Sequence, residues 1–242
     1  MKKNIHITFI INPISGNQDK DDIPKMIEEE IDSKRFDVDI RMTDHKGHAS
    51  EIAKECATKG IEVVVAVGGD GTVNEVARSL THTQTALGII PCGSGNGLAR
   101  HLCIPMNIRK ALNINNQCQI EAFDTGVING IPFFCTCGMG FDAFISLKFA
   151  EAGKRGPITY VENVLKEGLK YKPETYEVED DTGAKKYKAF LIACANASQY
   201  GNNAYIAPGA TMKDGEMDVI IMEPFTALDA PQIAADLFMK TL

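Results

Sequence analysis

Five consecutive small or β-branched apolar residues, Val63-Val64-Val65-Ala66-Val67, run directly into Gly68-Gly69-Asp70-Gly71-Thr72 and then into an amphipathic stretch that ends near Leu80. A strand without polar alternation needs cover on both faces, which parallel sheets flanked by helices provide. The segment therefore predicts a buried strand, a glycine turn and a helix over residues 72–80. Asp70 falls at the carboxyl end of the strand, where open α/β sheets bind ligands. Glycines let the main chain approach a ligand closely, and one carboxylate there suits Mg²⁺ beside polyphosphate. A plain strand-to-helix turn, with Asp70 as a helix cap, satisfies the same letters.

Two common phosphate loops are excluded. No G-x-x-x-x-G-K-[ST] occurs, and Asn74 stands where G-x-G-x-x-G needs its third glycine. A second loop repeats the pattern instead: Leu87-Gly88-Ile89-Ile90-Pro91 reads as a buried strand, followed by Cys92-Gly93-Ser94-Gly95-Asn96-Gly97-Leu98-Ala99-Arg100. Ser94 and Asn96 offer side-chain donors, and the loop N–H groups with the positive end of the next helix suit an anion. Asn12-Pro13-Ile14-Ser15-Gly16 is a polar turn after the strand 5–11, and Thr43 follows the strand 37–42. Four strand ends on one sheet edge thus carry polar or glycine residues.

The rhythm of the chain divides it in two. Strands at 5–11, 37–42, 63–67 and 86–90 alternate with helices at 23–31, 50–59, 72–80, 96–102 and 108–112, the signature of an α/β domain with a parallel sheet. Beyond Phe123 the pattern turns to strands joined by short turns. Asn129-Gly130 between the apolar runs 123–128 and 132–137 is a type I′ hairpin signal, and a second hairpin is expected where 180–183 joins 175–179 to 185–195. The expected domains are 1–123, α/β, and 124–242, mainly antiparallel β, ending in a helix over 227–240.

Bulk properties narrow the partners. The net charge of −7 disfavours nucleic acid and general adhesion to anionic lipid. Apolar runs fall short of the roughly 18 residues that span a bilayer, so no transmembrane segment is expected. Seven cysteines in an odd count, with only Cys135-x-Cys137 closely spaced and no signal peptide, suit small core residues in a reducing cytoplasm. Among the five histidines, His48 and His101 read as loop or helix-surface residues. Lys148, Lys154, Arg155, Lys166, Lys170 and Lys172 lie among Phe149, Ile158, Tyr160, Leu165 and Leu169. That composition fits an interfacial helix making peripheral membrane contact, and equally a solvated helix packed by its apolar stripe. A homodimer is allowed by the sequence and not specified by it.

Taken in order, these blocks resemble the diacylglycerol kinase catalytic-domain family, which includes bacterial lipid kinases, sphingosine kinases and ceramide kinase. The resemblance rests on Asn12-Pro13-Ile14-Ser15-Gly16, on Gly68 through Val76 and on Ile90 through Arg100. Thr43 with Gly47-His48-Ala49, Asp124-Thr125-Gly126, Ala207-Pro208-Gly209-Ala210 and Asp214-Gly215-Glu216-Met217-Asp218 extend it. It implies an N-terminal nucleotide-binding domain like those of NAD kinases and phosphofructokinases and a C-terminal β-sandwich that receives lipid at the membrane surface. It further implies ATP and Mg²⁺ as cofactors. Asn12, Ser15, Gly16, Thr43, Gly68, Gly69, Asp70, Gly71, Thr72, Glu75, Gly93, Ser94 and Asn96 are then expected around ATP. Asp70 is expected at the phosphates and Mg²⁺, and Asp124 is expected as a second catalytic acid. Lys213, Asp214 and Met217 resemble a separate metal site, the lysine and methionine through carbonyl oxygens; read alone, Asp214-Gly215 is a hairpin turn.

Two departures bear on activity. Asn96-Gly97 stands where bacterial diacylglycerol kinases carry Asn-Asp, and Gly93-Ser94-Gly95-Asn96 is closer to sphingosine and ceramide kinases. The family's general base is a glutamate in a late Asp-Gly-Glu segment. The Asp214-Gly215-Glu216 found here precedes a strand at the metal-site position. The base is therefore expected beyond residue 242, with the second domain incomplete at its C-terminus, or the protein lacks one of its own. The expected function is phosphoryl transfer from ATP to a lipid hydroxyl of diacylglycerol or sphingoid/ceramide type. An NAD kinase-like enzyme would share Gly-Gly-Asp-Gly-Thr but leave the first and third blocks unexplained, and a nucleotide-binding regulator would need no base.

Overall fold

The computed structural model describes residues 4–16, 20–141, 143, 144, 168, 171–226 and 228–242. Its first element is β1 (Ile5–Ile11), which lies between β2 (Phe36–Met42) and β3 (Val63–Gly68), with β4 (Ala86–Pro91) beyond β3; all pairings are parallel. The valine run forms an inner strand with all six of its residues buried. β2 is an edge strand, and its alternation of Phe36, Val38 and Ile40 with Asp37, Asp39 and Arg41 leaves one row to solvent. Phe9, Ile11, Val65, Val67 and Ile90 pack with Ile23 and Ile27 of α1 (Ile23–Glu30) and Leu112 of α5 (Ile108–Gln117). Burying each such side chain is worth about 1.5–3 kcal/mol relative to leaving it exposed. α2 (His48–Thr58) and α3 (Asp70–Leu80) bury Ile52, Cys56, Val73, Val76 and Leu80, while the short α4 (Gly97–His101) follows β4.

Register aligns the strand ends. Ile11 pairs with Met42 and with Val67, and Gly68 pairs with Pro91. The turns that follow these four strands therefore leave one edge of the sheet, as expected of Asn12, Thr43, the Gly68 loop and the Gly93 loop. α4 starts at Gly97, because Asn96 takes a left-handed conformation (φ 53°, ψ 48°) that ends the loop before the helix begins. A hairpin of β5 (Gly126–Ile128) and β6 (Ile131–Phe133) closes on Asn129 and Gly130 with φ of 50° and 78°, the two positive values a type I′ turn requires.

The chain divides into two compact units, Met1–Phe134 and Cys135–Leu242, so the hairpin belongs with the first. The run 132–137 is accordingly not one strand: it breaks at Phe134 and Cys135 and resumes as β7 (Thr136–Gly140). In the second unit β10 (Leu191–Ala195) lies between β7 and β13 (Asp218–Met222), all antiparallel. β8 (Glu174–Asp180) and β9 (Gly183–Ala189) form the second expected hairpin; β11 (Gln199–Gly201) pairs with β12 (Ala204–Tyr205), and α6 (Ala230–Met239) comes last. The expected strand 185–195 is divided at Phe190. There the chain exchanges partners: the Phe190 N–H donates to Met222 O and its carbonyl accepts from Phe141 N–H. The sequence rhythm thus holds, parallel α/β first and antiparallel β second.

Phe141, Phe190, Ala193, Ala195 and Ile206 centre the second core, with Tyr171 and Phe225 against it. Tyr171 meets Phe141 and Phe190 edge-on at 5.4 Å between ring centroids. Burial in this cluster, reinforced by the Tyr176 phenol, pushes the Tyr171 hydroxyl up to about 12 from 10.0. The native state then keeps a proton that the unfolded chain loses, so this contribution to stability is whole below pH 10 and is lost as pH rises toward the folded value. Tyr171→Phe should flatten the alkaline fall in the urea midpoint; an unchanged slope would show that Tyr171 is not its source.

The interfacial helix expected around Lys148, Lys154, Arg155, Lys166 and Lys170 lies outside the described residues, and only Lys172 of its cations is within them. Among the described residues, no helix is long and apolar enough to cross a membrane.

Candidate active site

Both glycine loops meet at the carboxyl edge. A Cβ built on Gly93 would sit 2.5 Å from Gly69 Cα, so the two main chains touch where side chains would hold them apart. Asp70 locks this contact. Its Oδ2 accepts the Asn96 N–H at 2.8 Å and its Oδ1 accepts the Gly97 N–H at 2.6 Å, so the carboxylate of the first loop caps the helix of the second. Gly95 is confined by the same group, since its Cβ would lie 2.7 Å from Asp70 Oδ2. Gly71 differs: a Cβ there meets nothing within 4 Å. The glycines expected to admit a ligand are therefore of two kinds, those that seat loop on loop and Gly71, which opens the face above the first turn of α3.

Side chains expected around a ligand largely fix the loops to one another. Asn12 Nδ2 donates to Thr72 Oγ1 at 3.0 Å, and its Oδ1 accepts the Ile14 N–H. Ser15 is buried and its hydroxyl donates to Asn12 O, while Gly16 packs on the Cys92 carbonyl. Asn96 is buried too; its Oδ1 accepts the Gly93 N–H and its Nδ2 donates to Gly93 O, so its amide serves the loop's shape. Thr43 is buried, its N–H donating to Ile11 O, and Glu75 Oε1 accepts the Gly47 N–H at 3.3 Å, tying α3 to the turn after β2. Ser94 and Asp70 are exposed.

Lys20 was not foreseen. It is 3% exposed, and its ammonium donates to the Ser15 carbonyl and lies 3.5 Å from that of Pro13. A buried ammonium beneath the first turn adds positive potential to an edge already rich in main-chain N–H groups. Cys92 registers it: burial pushes the thiol up, and Lys20 pulls the other way. Arg100 also serves the edge, donating from Nε to Gly95 O at 2.9 Å. No spacing rule singles out Lys20, whereas Arg100 could have been found from its place one helical turn past the loop.

Asp124 is half-buried just before β5. Among the described residues, neither it nor Asp70 joins a group of three close imidazole, thiol or carboxylate ligands. Lys213, Asp214 and Met217 are exposed in the second unit, on the turn that enters β13; Asp214 Oδ1 accepts the Glu216 N–H at 3.1 Å, the local bond of an Asx turn.

The donor set nevertheless fits a hard cation and an anion together. Each Asp70 oxygen spends one lone pair on an N–H and keeps another, which suffices for an oxygen-seeking ion. α3 has no side-chain cap at Gly69, so the N-cap residue satisfies none of its first N–H groups, and the space beside Gly71 is open. This is the kind of edge at which open α/β proteins bind phosphate-bearing ligands. Residues 6–128 match the diacylglycerol kinase catalytic domain and residues 136–237 match the YegS C-terminal NAD kinase beta sandwich-like domain. The chain belongs to the diacylglycerol kinase catalytic-domain family, and its second unit is of the β-sandwich-like kind.

Similar proteins include a "Probable lipid kinase YegS-like" of Chromohalobacter salexigens, 31% identical over 78% of this chain and 63% of that protein. One of the same description from Citrobacter koseri is 31% identical over 76% of this chain and 64% of that protein. The chain thus spans under two thirds of the length of these curated relatives. A crystal structure of a diacylglycerol kinase from Bacillus anthracis str. Sterne shares the fold, with a TM-score of 0.72 over 97% of this chain and 78% of that chain at 22% identity.

Proposed function

We propose that this chain carries the ATP-binding and phosphoryl-transfer machinery of a lipid kinase that phosphorylates a lipid hydroxyl of diacylglycerol or sphingoid/ceramide type. The observation that supports it most is the Asp70 carboxylate, oriented by two main-chain N–H groups where two glycine loops meet. Phosphoryl transfer asks mainly for positioning and charge neutralisation. In this reading the uncapped N–H groups of α3 and the open face of Gly71 seat the phosphates. Asn12, Ser15, Gly16, Thr43, Thr72, Glu75, Gly93, Ser94 and Asn96 shape the walls, and Lys20 adds positive potential. Asp70 would hold Mg²⁺, which when bound spreads the charge of the transferring group. Asp124 is the second acid we propose, and the Lys213, Asp214 and Met217 turn a separate cation position. No side chain is assigned as base; Glu216 is exposed on that turn and stays unassigned. Relatives described as lipid kinases support a lipid acceptor, met at the membrane surface.

Labelled ATP with sphingosine, diacylglycerol, ceramide and NAD in parallel tests this. Label on a lipid is expected. Label on NAD alone would replace the reading with an NAD kinase, and ATP bound without transfer to any acceptor would favour a nucleotide-binding regulator.

A further inference from the structure

Past β2, the turn that begins at Thr43 gathers ligands of another kind. Among the described residues, Asp44, His45 and His48 are the one group of three imidazole, thiol or carboxylate donors whose ligand atoms all lie within 4.8 Å of one another. The turn is held at both ends: Thr43 N–H donates to Ile11 O at 2.9 Å, and Gly47 N–H donates to Glu75 Oε1 at 3.3 Å. Gly47 has φ +91°, a value that brings the chain round so that His48, the first residue of α2, returns beside Asp44. The two imidazoles stack with centroids 4.6 Å apart and planes 10° from parallel, and both Nδ1 atoms face the same oxygen, Asp44 Oδ1.

Hydrogen bonds alone leave this arrangement in conflict. His48 Nδ1 lies 3.3 Å from the Asp44 N–H as its acceptor and 2.7 Å from Asp44 Oδ1. One ring nitrogen cannot accept from the first and donate to the second. With a lone pair on Nδ1, two electron-rich atoms face each other; with a proton there, the main-chain N–H loses its acceptor. His45 shows the complementary feature, since its far nitrogen, Nε2, lies 3.4 Å from Glu51 Oε1. A carboxylate on the far nitrogen fixes the tautomer that leaves the near one free to ligate, the usual support behind a metal-binding histidine.

We propose that Asp44, His45 and His48 bind a divalent transition-metal ion of the zinc class, with Glu51 orienting His45. Two imidazole nitrogens and one carboxylate oxygen are the donors of Zn²⁺, Co²⁺ and Ni²⁺ sites; Mg²⁺ and Ca²⁺ take oxygen sets. Three protein donors leave a position for water or another oxygen ligand, and Asp44 and His45 are exposed, so that position faces solvent. Zinc bonds of about 2.0–2.2 Å put tetrahedral ligands roughly 3.3 Å apart. Both histidine contacts to Asp44 Oδ1 must therefore open on binding, and since a ligating nitrogen holds its metal in the plane of the ring, the exposed His45 imidazole must also turn out of the near-parallel stack. The site does not depend on the kinase reading, and an ion there would stiffen the turn that carries Thr43.

The test uses the full chain without an affinity tag, stripped by chelator, and titrated calorimetrically with Zn²⁺ alone. Saturable binding of a single ion is expected, with Co²⁺ substitution giving the absorption of a nitrogen and oxygen site without thiolate charge transfer. His45→Asn and His48→Asn should each weaken binding by 100-fold or more, and Glu51→Gln by about 10-fold. His45 lies on the surface turn and His48 and Glu51 in the first turn of α2, and unchanged melting of the stripped variants would show that they fold. Equal zinc affinity in the native chain and in the double histidine variant, or cobalt–thiolate bands, would place the ion on cysteines and overturn the proposal.

Discussion

Asp70→Asn is expected to leave the first unit folded and to abolish the help that Mg²⁺ gives to ATP binding, with phosphoryl transfer falling about 10²–10³-fold or more. Two roles of this side chain have to be separated, because the carboxylate is also a helix cap. Its oxygens accept from Asn96 and Gly97 N–H. In the variant, one of those N–H groups faces an amide NH₂ in place of an oxygen. Losing such a cap costs about 0.5–2 kcal/mol of stability, enough to lower a melting temperature and far too little to stop a saturated, folded enzyme. The comparison is therefore made at ATP saturation and below the melting transition. Titration of ATP with and without Mg²⁺ gives a second readout that needs no turnover. If the variant melts lower yet keeps native turnover and native Mg²⁺ dependence, Asp70 is a cap alone and the kinase reading loses its main support.

Which parts of this edge could be read from the sequence follows from the range over which each signal acts. Val63 through Gly71 is a local signal: strand, turn and helix are contiguous, and the burial that selects valine is visible in the letters. Asn129-Gly130 is equally local, since the two residues set their own backbone angles. Asn96 was expected as a donor toward ligand, and its amide is instead spent on Gly93, because only the folded loop reveals that its own main chain lies nearer. Lys20 reads as an exposed lysine until the first turn folds over it. His48, read as a loop or helix-surface residue, reaches Asp44 through the left-handed Gly47. The partner exchange at Phe190 depends on strands distant in sequence, so nothing local divides the expected strand 185–195 at that residue. Local chemistry was legible, while the contacts that decide which donors remain available are long-range.

Gly93 and Gly71 give the second large effect and a contrast within one site. Gly93→Val places a Cβ 2.5 Å from Gly69 Cα and 2.8 Å from Asn96 Oδ1. The first of these is main chain and has no rotamer by which to withdraw. The loops must part, and with them go the Asp70 bonds to Asn96 and Gly97. Overpacking of this kind costs about 1–3 kcal/mol, a fall in melting temperature on the order of 5–10 °C for a unit of this size. Nucleotide affinity should fall with it. Gly71→Ala adds its methyl to open space within the first turn of α3, where alanine is the better helix former by up to about 1 kcal/mol. Stability should hold or rise. If phosphate rests on that open face, the same methyl occupies its approach, and the KM for ATP should increase at least 10-fold. Separate melting and ATP titrations of the two variants decide this: Gly71→Ala with native ATP affinity would show that the phosphates do not lie over α3, even if Gly93→Val melts lower as expected.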